Sequence, residues 1–259
     1  MAQMTTRRNV LRLIAGIPLL AATPAVAAKL VLIGRLIDEA KSLPRVSQRI
    51  DFISGKLRRV RYLADTLIGS PKRPEQFVVR DDAFDCVTFC EVVLAAAIAR
   101  DLEQFESTLR RIRYDAGKVQ YDRRNHYFAD WCKRNIENGI CRPVAIGPSI
   151  VIDKTVTWHR EFGKRQVSMQ MIDRATLLAN ARLLTPGDII GFASQRPSLD
   201  YYHTGFIAFG RNGELLLRSA SLSHGRVLDE KMTSFVGANP VKHVTLLRAA
   251  ETAPVAERH

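Results

Sequence analysis

The sequence predicts an α+β fold, with helices in its first half and an antiparallel sheet in its second. Between residues 29 and 114, apolar side chains recur mostly three and four residues apart, which is the spacing of helices that bury one face. After the turn signal Pro186-Gly187-Asp188, short β-like runs alternate with glycine, asparagine and proline turn signals. Helices followed by strands are typical of α+β proteins.

In the first half, two helices are expected between residues 29 and 68, with a break at Pro44. A short β-like run is expected at residues 77–80. The alanine-rich apolar segment 86–99 predicts a buried helix, for which Asp85 is well placed as the N-terminal cap. An amphipathic helix is predicted over residues 102–114.

The second half contains a helix-like piece within residues 167–184 and four β-like runs. Arg211-Asn212-Gly213 predicts a hairpin turn between the second and third runs. The runs are residues 189–192, 203–209, 215–218 and 241–247.

Composition limits the class of protein. The chain has 259 residues, of which 46% are hydrophobic and 25% charged, and this is ordinary for one sizeable or two small globular domains. The formal net charge of +13 favours an anionic partner such as nucleic acid, anionic lipid or an acidic cell-wall polymer. A basic surface without a dedicated partner is an equal alternative. Nucleic acid is the least favoured partner, because no recognised binding motif accompanies the charge.

Residues 1–27 have the pattern of an export signal. The pair Arg7-Arg8 precedes an apolar stretch at residues 13–20, and Ala25-Val26-Ala27 offers the small-x-small pattern that signal peptidase requires. The stretch is too short for a stable membrane span. We expect a periplasmic or otherwise exported protein with a signal peptide of the twin-arginine or ordinary type, followed by a single domain at residues 28–259. An uncleaved anchor is the alternative.

Cys86 is the candidate nucleophile. It begins the predicted buried helix, where unpaired backbone N–H groups and the helix dipole lower a thiol pKa and can hold an oxyanion. Cys90 lies one turn deeper and lacks that advantage. From the residues alone, a cysteine in an apolar helix is also commonly a core residue.

His203 is the candidate base, because it begins a β-like run and can reach a helix N-terminus packed across the sheet. The alternative is a histidine whose ring binds a backbone carbonyl. His126 lies in an aromatic and polar segment that fits either a pocket wall or a buried cluster. Cys132 and Cys141 are nine residues apart and could form a disulfide after export. The histidines and cysteines show no metal-binding spacing.

Three segments occur in a recognisable order along the chain. They are Phe84-Asp85-Cys86-Val87-Thr88-Phe89, then His126-Tyr127-Phe128-Ala129-Asp130-Trp131, then Pro186-Gly187-Asp188-Ile189-Ile190 followed by His203-Thr204-Gly205-Phe206-Ile207. Together they resemble the N-acetylmuramoyl-L-alanine amidase-like family of exported bacterial proteins, which is itself similar to the NlpC-like, papain-related cell-wall cysteine peptidases. The resemblance covers roughly residues 50 to 250.

The resemblance implies a papain-like, NlpC-like α+β fold with extra N-terminal helices, in which the nucleophile helix packs on the sheet that carries the base. It implies a cysteine amidase or peptidase that needs no cofactor and hydrolyses an amide in peptidoglycan or muropeptide fragments. The bond is either the one between muramic acid and L-alanine or one within the stem peptide. Cys86 matches the nucleophile and His203 matches the base.

One position departs from the family pattern. Ser219 stands where a third polar residue, commonly histidine, orients the base, and a neutral serine stabilises imidazolium less than a charged group does. A non-catalytic wall-binding protein and a Cys–His acyltransferase are therefore alternatives on the same scaffold. Substrate contacts are expected from Asp85, His126, Tyr127, Asp130 and Trp131. The sequence does not indicate an oligomeric state.

Overall fold

The computed structural model describes residues 30–251 and contains seven α-helices and twelve strands in that range. The helices are α1 (Val31–Ala40), α2 (Val46–Lys56), α3 (Cys86–Ile98), α4 (Leu102–Arg113), α5 (Phe128–Glu137), α6 (Arg174–Ala179) and α7 (Met232–Ala238). The strands are β1 (Arg61–Tyr62), β2 (Ile68–Ser70), β3 (Arg73–Gln76), β4 (Ala83–Phe84), β5 (Cys141–Pro143), β6 (Ile150–Val156), β7 (Arg165–Asp173), β8 (Ile189–Ala193), β9 (Tyr201–Phe209), β10 (Leu215–Ser221), β11 (Arg226–Lys231) and β12 (His243–Ala249).

The strands form a ten-stranded sheet and a separate β2–β3 hairpin. The large sheet has the order β4-β1-β11-β10-β9-β8-β12-β7-β6, and β5 pairs with β12. All of its pairings are antiparallel except that of β1 with β4. The α+β prediction is therefore confirmed. The expected hairpin turn is also present, since Gly213 has φ 74° and Gly210 N–H donates to the Glu214 carbonyl at 2.8 Å.

Two predictions for the first half are wrong. The second helix ends at Lys56 rather than near residue 68. Arg59 takes the left-handed φ of 75°, and its N–H donates to the Val227 carbonyl at 2.8 Å, so the chain turns away into β1. Residues 77–80 are not a strand either, because the hairpin β2–β3 forms just before them.

Helix α3 lies against the middle of the sheet, and its burial fixes the position of its first residue. Ten of its thirteen residues are buried, and the Phe89 ring meets the Phe206 ring of β9 edge-on at 5.6 Å. Burying a side chain such as Phe89 stabilises the fold by about 1.5–3 kcal/mol. Glu91, on the same helix, accepts a hydrogen bond at 2.7 Å from the equally buried Arg113 of α4. The Phe89–Phe206 contact holds α3 against β9, and the ion pair joins α3 to α4.

Two groups of buried side chains cover the two faces of the sheet. The larger group joins helices α1 to α5 to one face, and it includes Phe89 and Phe206. The smaller group lies on the other face, between the sheet and helices α6 and α7, and it includes Phe192 and Phe235. Among residues 30–251, no helix has the length and apolar character needed to cross a bilayer. The predicted signal peptide lies outside the described residues.

Candidate active site

Cys86 occupies the first position of α3, as predicted. Strand β4 leads into Asp85, whose carboxylate accepts a hydrogen bond from Thr88 N–H at 2.7 Å, while Asp85 N–H donates to the Thr88 hydroxyl at 3.0 Å. This reciprocal cap satisfies two of the unpaired groups at the helix start. The Cys86 side chain is half-buried at this end of the helix.

The environment of the Cys86 thiol differs from the expectation. Burial, reinforced by the negative charge of Asp85, raises the pKa of the thiol to about 12. The backbone N–H groups of Thr204, Cys86 and Val87 lower this pKa, but by less than burial raises it. The helix start therefore does not lower the pKa of this thiol as the sequence analysis expected. Cys86 is protonated at neutral pH in the resting protein.

Tyr62 is a residue near the candidate site that the sequence analysis did not single out. Burial, followed by electrostatic interaction with Cys86 and Asp85, raises the pKa of its phenol to about 12. The residue belongs to the two-residue strand β1, beside Phe84 of β4. The helical spacing of the preceding segment concealed this strand, and only the pairing with β4 brings Tyr62 to the site.

His203 and Ser219 are brought together on neighbouring strands. His203 Nε2 lies 2.9 Å from Ser219 Oγ. The imidazole also packs against the rings of Phe192 and Phe235, with centroid distances of 6.2 and 5.4 Å. Burial lowers the pKa of His203 to about 4, so the ring is neutral at neutral pH. A neutral imidazole is the form that accepts a proton from a thiol.

The imidazole and α3 belong to different faces of β9. Thr204 and Phe206 face α3, since the Thr204 hydroxyl lies 3.8 Å from Cys90 Sγ and Phe206 packs on Phe89. His203 alternates with them and faces the Phe192 side. Within residues 30–251, no hydrogen bond joins the Cys86 thiol to the imidazole. The backbone N–H of Thr204, the residue after His203, is one of the groups that lower the pKa of the thiol.

The expected substrate-binding segment around His126 forms a separate aromatic cluster. His126 Nε2 lies 2.6 Å from the Tyr121 carbonyl, and its ring contacts those of Tyr121, His159 and Phe162 at centroid distances of 4.5 to 5.0 Å. Burial lowers the pKa of His126 to about 4. Of the two readings that the sequence left open, the structure favours the partly buried cluster.

Tyr127 and Trp131 are core residues, which corrects their assignment as substrate contacts. Trp131 is 0% exposed and Tyr127 is 1% exposed, and the Tyr127 hydroxyl accepts a hydrogen bond from His159 N–H at 3.0 Å. Asp130 is engaged by Arg165 at 2.9 Å. A segment in which aromatic and polar residues alternate is typical both of an open pocket wall and of a closed core. The burial of Tyr127 and Trp131 shows that this segment belongs to the core.

The remaining cysteines are free thiols. Cys90, Cys132 and Cys141 are all buried, so the structure contains no Cys132–Cys141 disulfide. In the part of the chain that the structure describes, no three His, Cys, Asp or Glu side chains are arranged to hold a metal ion. An apolar cavity of about 340 Å³ lies between α5, β7 and β12, and its walls include Cys132 but neither Cys86 nor His203.

The candidate site thus combines a cysteine at a capped helix start with a histidine that is hydrogen-bonded to Ser219 on a central strand. Residues 52–244 match the family model described as N-acetylmuramoyl-L-alanine amidase-like. The chain belongs to this family, and the resemblance seen in the sequence is confirmed. No curated protein matches the sequence.

Two solved structures share the fold over most of the chain. An N-acetylmuramoyl-L-alanine amidase from Bacteroides uniformis is 25% identical, with a TM-score of 0.71, and the match covers 80% of this chain and 99% of that one. Protein LPG0564 from Legionella pneumophila is 23% identical, with a TM-score of 0.75, and the match covers 86% of this chain and 95% of that one.

Proposed function

We propose that this protein hydrolyses an amide bond in peptidoglycan or its fragments, with Cys86 as the nucleophile and His203 as the base. The observation that supports the proposal most strongly is the position of the Cys86 thiol. It lies at the capped start of α3, and its pKa responds to the backbone N–H of Thr204 on β9, next to the histidine that binds Ser219. Membership of the amidase-like family supports the class of bond.

The proposed reaction begins with both groups neutral. His203 takes the proton of the Cys86 thiol as the sulfur attacks the amide carbonyl carbon, giving a tetrahedral oxyanion and an imidazolium. The imidazolium then gives its proton to the leaving amine, and the C–N bond breaks to leave a thioester on Cys86. Water, activated by His203, hydrolyses the thioester to a carboxylate and restores the thiol. In the structure His203 and α3 lie on different faces of β9, so the proposed proton transfer requires the imidazole to turn toward the sulfur when substrate binds.

The oxyanion is assigned to donors at the start of α3 and on β1. Unpaired N–H groups at a helix start are oriented toward a charge that develops there. The Tyr62 phenol is assigned as the side-chain donor, because its raised pKa keeps it protonated and its titration is influenced by Cys86. Loss of one such donor costs about 2.7–4 kcal/mol of transition-state stabilisation in related chemistry.

Ser219 is assigned to positioning. Its hydroxyl oxygen lies 2.9 Å from His203 Nε2, so it fixes the ring while the other ring nitrogen takes the thiol proton. A hydroxyl is neutral and gives the imidazolium less support than a carboxylate gives. The proposal is thus a Cys–His pair held by serine.

The relation to NlpC-like, papain-related peptidases is part of the proposal. Its support is the order of the parts along the chain, with the nucleophile helix α3 first and the histidine strand β9 later. Export to the periplasm is also proposed, on the signal pattern of residues 1–27 and on the location of the peptidoglycan substrate.

The experiment is mass analysis of purified sacculi, and of soluble muropeptides, after incubation with the protein. Peptides with a free L-alanine amino group, together with glycans that have lost their peptides, would identify the muramyl amide as the bond. Shortened peptides on intact glycans would indicate a cut within the stem. Binding without products would favour a wall-binding protein, and an acyl group transferred from a phospholipid to Cys86 would favour an acyltransferase.

A further inference from the structure

A basic groove of about 700 Å³ lies between the end of α2 and strand β11. We propose that this groove binds a carboxylate group of the substrate, on the part of the peptidoglycan peptide that lies beyond the amide to be cut. This inference rests on the proposed function, because it assigns the groove to the same substrate. The groove is lined by Gly55, Lys56, Arg58, Arg59, Arg226, Val227, Leu228 and Asp229.

Positive charges in the groove outnumber the negative charges that could neutralise them. Lys56, Arg59 and Arg226 are exposed, and none of them makes an ion pair with another residue in the range 30–251. Asp229 is the one acid on the wall, and its carboxylate is held by the buried Arg218 at 2.6 Å and also by Arg58 at 3.3 Å. The groove therefore presents to solvent three cations without an ion-pair partner among the described residues, of which Lys56 lies 5.2 Å above the Phe52 ring.

A backbone contact brings Arg59 close to Arg226, because the Arg59 N–H donates to the Val227 carbonyl at 2.8 Å. Two further features of the backbone bear on these charges. Arg226 stands directly opposite Arg61 in the pairing of β1 with β11, which is an unfavourable position for two like charges. Arg61 has Asp82 as a partner at 3.0 Å, and this leaves Arg226 without one. Arg59 holds a φ of 75°, a conformation that glycine adopts at less cost than arginine. An anion bound between Arg59 and Arg226 would supply the counter-charge that Arg226 lacks and would relieve its repulsion with Arg61.

The groove is connected to the site through β1. Tyr62, which lies in the electrostatic environment of the Cys86 thiol, directly follows Arg61, and Arg61 pairs with Ala83, three residues before Cys86. At about 3.3 Å per residue, the Arg61–Arg226 pair is on the order of 10–15 Å from the thiol. An extended peptide of three or four residues spans that distance, since each residue adds at most about 3.3–3.6 Å. A carboxylate at that position in the stem peptide would reach the groove.

The test measures co-sedimentation of the Cys86→Ala protein with purified sacculi, so that cleavage does not affect binding. Arg59→Gly with Arg226→Gln removes two groove charges, and Arg59→Gly suits the local backbone, so thermal melting should show an intact fold. Arg142→Gln with Arg182→Gln is the matched control, because it removes two exposed charges elsewhere on the chain. If the groove double variant does not fold, Arg226→Gln alone is compared with Arg182→Gln.

We expect the groove variant to bind sacculi about tenfold more weakly at low ionic strength, and the control to bind like the parent. Amidation of the sacculus carboxylates should weaken the parent to the same extent, and about 1 M salt should abolish the difference. Equal binding by the groove variant and the parent would overturn the inference. The inference would also be overturned if the groove variant lost binding only to vesicles of anionic phospholipid and not to sacculi, because that result would assign the groove to a membrane surface. Hydrolysis by the Cys86-containing protein is measured separately, so failure of the groove and failure of the enzyme are distinguishable.

Discussion

His203 Nε2 lies 2.9 Å from Ser219 Oγ, across two strands that the chain joins by a single hairpin. The hydrogen bond fixes the orientation of a ring that Phe192 and Phe235 already hold by packing. The Ser219 hydroxyl orients the imidazole but carries no charge that would stabilise an imidazolium. The strength of the base therefore depends on the burial of the ring more than on its partner.

Replacing Ser219 with alanine should lower kcat about three- to tenfold and leave KM nearly unchanged, because a net hydrogen bond of about 0.5–1.5 kcal/mol is lost. Ser219→Asp should raise the pKa of His203 by adding a negative charge beside it. The pH profile of kcat for the aspartate variant, compared with those of the alanine variant and the parent, checks this. Identical profiles for all three proteins would mean that Ser219 does not position the base.

Asp85→Asn should accelerate alkylation of Cys86 by iodoacetamide several-fold at any pH below 12. The charge of Asp85 raises the pKa of the Cys86 thiol, so its removal increases the thiolate fraction. Asparagine keeps the side-chain oxygen that caps α3, which leaves the helix start in place. Mass spectrometry of the Cys86 peptide follows the reaction, and a rate equal to that of the parent would contradict the assigned cause.

The protein should lose stability as the pH falls from 6.5 to 4. His203 and His126 each have a folded pKa near 4, against an ordinary value of 6.5, so in this window the unfolded chain binds protons that the folded chain does not. Each histidine contributes a slope of about 1.4 kcal/mol per pH unit there, and no slope above the window. Urea unfolding across the range measures it. The variants His203→Gln and His126→Gln should each flatten the curve, and a variant as steep as the parent would refute the assignment for that residue.

Trp131→Ala should destabilise the fold by about 3–5 kcal/mol, as expected for a fully buried aromatic side chain. Trp131→Phe should cost much less, because the indole Nε1 has no hydrogen-bond partner in its buried position. Denaturant unfolding measures both changes. A raised KM with unchanged stability in Trp131→Phe would restore this residue as a substrate contact.

The predictions that succeeded depended on local signals. The cap by Asp85 and the helix from Cys86 follow from neighbouring residues. The hairpin at Arg211-Asn212-Gly213 made β9 and β10 neighbours, which brings His203 beside Ser219.

The predictions that failed depended on distant parts of the chain. The two-residue strand β1 exists because β4 and β11 pair with it, so its Tyr62 had no recognisable local pattern. The pKa of the Cys86 thiol is set by burial and by Asp85, which outweigh the helix start. The segment around Trp131 has a residue pattern that occurs both in pocket walls and in cores, so its burial could not be predicted from the sequence.

The most direct test of the account compares Cys86→Ala with Cys90→Ala on purified sacculi. Both changes remove one thiol from α3, but Cys90 is buried one turn deeper and faces Thr204. We predict that Cys86→Ala releases no peptide or amine above the level without enzyme, whereas Cys90→Ala retains most of the parent's turnover. Turnover by Cys86→Ala equal to that of the parent would contradict the assignment of Cys86 as the nucleophile.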